Sequence, residues 1–95
     1  MLTGKQRSYL KSLAHNLDPI LIIGKGGVTD NTIKQLNDAL EKHELIKIKI
    51  LNNNMEDPKH VQERILEVLK AEFVQFIGAK FTIYRASKDG HIKLP

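Results

Sequence analysis

Ile20-Leu21-Ile22-Ile23-Gly24-Lys25-Gly26-Gly27-Val28-Thr29-Asp30 is the stretch on which the reading of this chain turns. Four consecutive aliphatic residues between Pro19 and Gly24 suit a short strand covered on both faces. Three glycines in four positions let the backbone bend sharply and leave room for another molecule to come close. Thr29 is a good N-cap, and Val28 and Ile33 then stand at the spacing of a hydrophobic staple. The stretch therefore reads as strand, glycine-rich loop and helix start. It delivers amide groups and Lys25 to a helix N-terminus, where a phosphate is favoured.

Working outward, Thr3-Gly4-Lys5-Gln6 has the form of a capping box and opens a first helix reaching about Asn16. Leu10, Leu13 and Leu17 give it a buried stripe, while Arg7, Lys11 and His15 line up on one face. Asp18-Pro19 ends it. After the glycine loop a second helix runs from about Asp30 to His43, with Ile33, Leu36 and Leu40 inward. In Leu45 to Leu51, Ile46, Ile48 and Ile50 alternate with Lys47 and Lys49, the pattern of a strand with one buried and one cationic face. Asn52-Asn53-Asn54 reads as turn chemistry, with amides that can also reach base edges. Asp57-Pro58 is an N-cap and first turn. The third helix that follows extends to about Glu72 on a stripe of Val61, Ile65, Val68 and Leu69. Phe73 to Ile77 and Lys80 to Arg85 form a hairpin around Gly78-Ala79. Ser87 to Pro95 has no period and is expected to fray. The order α-β-α-β-α-β-β predicts a two-layer α/β sandwich on a four-stranded mixed sheet.

The chain has 95 residues, no cysteine and a net charge of +4. Without cysteine there are no disulfides and no thiolate metal sites, which suits the cytoplasm. No apolar run is long enough to span a bilayer, and the first residues carry no apolar signal segment. The moderate positive charge fits a nucleic-acid partner without demanding one. Catalytic signatures are missing: there is no cysteine nucleophile or paired-carboxylate pattern, and His15, His43, His60 and His91 are scattered. No enzyme activity, cofactor or metal is expected.

The loop fails two nucleotide templates. The spacing of a G-x-x-x-x-G-K-[ST] loop is missing. Thr29 stands where the third glycine of a dinucleotide fingerprint belongs, and the chain is too short for a second mononucleotide half. Gly24-Lys25-Gly26-Gly27 does match G-x-x-G, which in single-strand RNA modules clamps the sugar-phosphate backbone. A plain β-to-α turn has the same outline, but it does not need three glycines and a lysine. Arg7, Lys11, Lys47 and Lys49 can equally extend a cationic footprint or face water. Tyr84 and Arg85 are candidates to touch RNA, Tyr84 equally a half-buried strand aromatic.

Several segments together resemble the YhbY family, the bacterial single-domain form of the CRM (chloroplast RNA splicing and ribosome maturation) domain. They are Leu2 to Arg7 with Leu13-Ala14-His15, Ile23 to Gly27, Leu51-Asn52-Asn53, Ile77-Gly78 and Ile83-Tyr84-Arg85. The resemblance covers about residues 2–86. It implies an RNA-binding domain over 1–86, with a flexible tail over 87–95, and a sheet similar to that of the C-terminal domain of translation initiation factor three. It also implies precursor large-subunit rRNA and the pre-ribosomal particle as partners. The basic start of the family's first helix maps onto Lys5, Arg7 and Lys11. The family commonly has an arginine in the last hairpin, where this chain has Ala79. The expected RNA-binding set is Gly24, Lys25, Gly26, Gly27, Lys5, Arg7, Lys11, Lys47, Lys49 and Arg85, on a cytoplasmic monomer that assists large-subunit assembly. The alternatives are a DNA-binding or nucleoid-associated protein and a ribosome-associated protein-interaction module.

Overall fold

Each helix starts where its local chemistry dictates. The computed structural model describes residues 2–51, 57–88 and 90–95. Helix α1 (Gly4–Ala14) opens on the expected capping box, with Thr3 and Gln6 exchanging side-chain and backbone hydrogen bonds. Helix α2 (Asp30–His43) opens on Thr29, paired in the same way with Thr32. Helix α3 (Pro58–Leu69) opens on Asp57, whose carboxylate accepts from the Lys59 amide. It stops short of the expected Glu72 because Lys70 takes a left-handed conformation, φ 53°. The strands are β1 (Leu21–Ile23), β2 (Leu45–Ile50), β3 (Glu72–Ile77) and β4 (Lys80–Tyr84). They are ordered β1-β2-β4-β3, with β1 parallel to β2 and the other pairs antiparallel. The expected element order and mixed sheet are therefore present. The Asn52–Asn54 turn lies outside the described residues.

The alternation along β2 divides the sheet. Ile46, Ile48 and Ile50 are buried with Leu36 and Leu40 of α2, Val61, Ile65 and Leu69 of α3, and Phe81 and Ile83 of β4. Each such side chain contributes about 1.5–3 kcal/mol of burial. This is the two-layer sandwich. On the other face α1 adds a partial layer at one end, where Leu10 and Ala14 pack with Leu2, Leu45, Val74 and Tyr84.

Three expectations about burial are corrected. Strand β1 is an edge strand, so it is not covered on both faces: Ile23 is buried, but Ile22 is 57% exposed. Leu13 and Leu17 are partly exposed, and Ala14 takes the inward position in their place. On α3, Gln62 is buried and Val68 is 54% exposed. A helix stripe read from sequence fixes a periodicity, and the width of the covered face depends on what packs against it.

The segment after β4, expected to fray, is laid back on the sheet. Ile92 and Leu94 pack against the Leu10–Tyr84 cluster. Their anchor is Glu44, fully buried at the C-cap of α2 with a strained φ of 67°. Its carboxylate accepts from the amide and hydroxyl of Ser87 (2.6 and 2.9 Å) and from the amide of Ile92 (2.7 Å). Burial alone would raise its pKa, but these donors, with the charge of His91, hold it below the ordinary glutamate range. Burial also pushes the Tyr84 phenol up, and the Glu44 charge adds to that.

Because the folded carboxyl titrates below the unfolded one, Glu44 contributes stability above the ordinary carboxylate range. That contribution is lost as the pH falls through its folded value. Replacing it in E44Q is expected to cost about 2 kcal/mol at neutral pH. In thermal melts followed by circular dichroism, the gap between wild type and variant should shrink on acidification. A gap independent of pH would mean that the charge does not hold the segment.

Candidate nucleic-acid interface

The half of the sheet face that α1 leaves open is built from two rows. Strand pairing sets Ile22, Lys49, Lys80 and Ile77 side by side across all four strands. One step back, Lys47, Thr82 and Gln75 are paired. The Ile20 amide donates to the Lys47 carbonyl at 2.9 Å and extends that row to the edge. Paired residues share a face, so Lys47, Lys49 and Lys80 project together. Lys49 stands directly opposite Lys80, a like-charge pair that costs stability in the free protein. Neither has an ion-pair partner among the described residues.

Helix α1 lies over β2 and β3. The far half of its cationic line reaches the same place. Lys11 and His15 join Lys47, Gln75, Ile77, Lys80 and Thr82 around a cleft of about 210 Å³ that no carboxylate among the described residues lines. The sheet face is what connects the first helix to the glycine loop.

That face ends at the loop. Leu51 donates to the Ile23 carbonyl, and Ile50 to the Ala79 carbonyl, so Gly24–Gly27 and the last hairpin sit at the same end of the sheet. The Gly27 amide closes a turn onto the Gly24 carbonyl at 3.0 Å, and Gly27 has φ 69°. The Gly27 N–H is therefore committed to the fold. Lys25 and Gly26 are exposed, and their amides donate to no described group. A side chain added at Gly26 would meet nothing within 4 Å. The start of α2 is a weaker anion site than the sequence implied, because Thr29 and Thr32 occupy one another's amides and Asp30 adds negative charge to the first turn.

Of the expected set, the open face and its loop bring together Gly24, Lys25, Gly26, Gly27, Lys11, Lys47 and Lys49. Three residues stand elsewhere. Lys5 is in the first turn of α1, away from the cleft. Arg7 donates from Nε to the Phe73 carbonyl at 3.2 Å, with its guanidinium 6.0 Å from the Phe73 ring centre. Arg85 is committed to the fold: it donates to the carbonyls of Leu69 and Asn37 and pairs with Glu41 at 3.0 Å. Lys80 was missed. Its place beside Lys49 depends on β4 inserting between β2 and β3, which no local pattern announces.

A family model of the CRS1/YhbY (CRM) domain matches residues 2–85, and the chain belongs to that family. It is 48% identical over the whole of both chains to YqeI of Bacillus subtilis strain 168, named as a probable RNA-binding protein. It is 37% identical to an RNA-binding protein of Haemophilus influenzae strain Rd, covering 99% of this chain and 95% of that one. The solution structure of a Staphylococcus aureus protein, put forward as RNA-binding, matches over 100% of both chains with a TM-score of 0.82 and 54% identity. RNA is thus the partner class that the family supports. Among the described residues no helix is long and apolar enough to cross a membrane.

The loop geometry separates its glycines. Gly27→Ala forces a Cβ into a left-handed conformation and should cost about 1 kcal/mol in urea unfolding. Gly26→Ala should be neutral or stabilising by up to about 1 kcal/mol. Equal losses at both positions would contradict the described turn.

Proposed function

We propose that this protein binds rRNA through its G-x-x-G loop and the adjoining cationic sheet face, and assists assembly of the large ribosomal subunit as a cytoplasmic monomer on the pre-ribosomal particle. The observation that carries the RNA contact is the cross-strand pair Lys49–Lys80. Flanked by Lys47 and Lys11, with no carboxylate of the described residues lining the cleft, it leads to a loop where the exposed Lys25 and Gly26 amides donate to no described group. A phosphodiester backbone would neutralise these charges, and Gly26 would let it lie against the chain. The ribosomal assignment is supported by the family resemblance. The role is binding, and no catalytic step is assigned.

Gel-shift titration with large-subunit rRNA fragments tests this. With Lys11, Lys25, Lys47, Lys49 and Lys80 engaged, log Kd against log salt should have a slope magnitude of about 3.5, and each lysine removed should lower it by about 0.7. An affinity unchanged between low and physiological salt would overturn the reading.

The double variant Lys25→Asp, Gly26→Asp should abolish binding while the melting curve is kept. Lys59→Glu with Lys70→Glu on the far side should have little effect. Equal losses from the two pairs would mean diffuse attraction with no loop-centred site.

A further inference from the structure

One feature of the open face has no use in backbone binding. Beside the lysines of β2 runs an aliphatic column, Ile20 and Ile22, which are 47% and 57% exposed. Ile22 is the register partner of Lys49, and Ile20 is bonded alongside Lys47. The two columns therefore climb the sheet together, with about 6.6 Å between successive residues on the face. At the upper end stands Gly24. At the lower end is a groove of about 360 Å³ between the end of α1 and the sheet, walled by Leu13, Leu17, Ile20, Leu45 and Ile92. Lys47 borders both this groove and the basic cleft.

We propose that this aliphatic edge and groove seat unpaired nucleobases of the RNA whose phosphates lie on Lys47 and Lys49; the inference rests on the RNA reading above. A polynucleotide presents cation-seeking phosphates and apolar base faces at a regular offset, and adjacent columns of lysine and isoleucine offer the matching pair. The groove itself is no phosphate site: its walls are mostly hydrocarbon, and Asp18, among its lining residues, repels an anion. A carboxylate such as that of Asp18 can accept from a base amino group, and His43, also among the lining residues, can offer a ring N–H. Continuity through Lys47 favours RNA over a protein segment, because a phosphate held there leaves its base within reach of the groove. From Ile20 to Gly24 the chain spans about 13 Å, room for roughly two to four nucleotides. A duplex keeps its base faces stacked inside, so the site selects single-stranded or looped RNA.

The test uses the full chain and a short labelled single-stranded RNA carrying an abasic ribose at each internal position in turn. Wild type should lose about tenfold in affinity at one or two positions, comparable with the loss of one stacked base. Ile22→Ser and Leu17→Ser alter exposed side chains, and their folding is checked by thermal melts. They should weaken binding of the intact RNA to a similar extent and respond little to the abasic positions. The duplex of the same sequence should bind more weakly. If abasic and intact RNA bind wild type equally while Lys47→Ala weakens both, recognition is through the backbone alone: the base site is overturned and the RNA reading stands. If the serine variants bind RNA like wild type but no longer co-sediment with ribosomal particles, the groove serves a protein and the proposal is likewise overturned. If wild type binds no RNA at all, the underlying reading fails.

Discussion

The alternation of strand β2 is the constraint from which the rest of the molecule follows. Successive side chains point to opposite faces, so Ile46, Ile48 and Ile50 cannot enter the core without sending Lys47 and Lys49 out the other side. A slip of one residue would bury two ammonium groups and expose three isoleucines, so the register is firmly held. With β2 fixed between β1 and β4, the positions of Ile22 and Lys80 are fixed as well. Core and candidate interface are two sides of one pairing, and no separate device is needed to place the cations.

Features written in local chemistry were legible from the sequence. The capping residues Thr3, Thr29 and Asp57, the period of β2 and the hairpin at Gly78 each act within a few residues of themselves. What was not legible depends on which elements become neighbours. An aliphatic run such as Ile20–Ile23 looks the same at a sheet edge as at its centre, so the exposure of Ile22 had no local signal. The stripe of α1 has the right period, but only the narrow contact with Leu45, Val74 and Tyr84 decides that Ala14 is covered and Leu13 is not. Arg85 follows a strand beside exposed lysines and reads as one more surface cation. Its use as a clamp between the Asn37 carbonyl in mid-α2 and the carbonyl end of α3 comes from tertiary packing.

Glu44 shows the same limit in its sharpest form. In a sequence it is one more acidic residue between a helix and a strand. In the fold it is a buried charge in an unfavourable backbone conformation, made tolerable by donors more than forty positions later in the chain. A buried carboxylate is stable only when its acceptor capacity is filled. The chain end is thus a structural part of the α2–β2 junction. Through Ile92, it also forms a wall of the groove beside the cationic face.

The opposition of Lys49 and Lys80 has a consequence for how the protein responds to ions. In the free protein, dissolved salt screens the repulsion across the strand pair and so favours the folded state. The same ions compete with the protein for phosphate and so oppose the complex. At this strand pair ionic strength therefore acts with opposite sign on the free protein and on its candidate use: the pair is electrostatically frustrated when empty and relaxed when an anion covers it. A polyanion that binds there does more than occupy a surface. It supplies the counter-charge that Lys49 and Lys80 lack among the described residues.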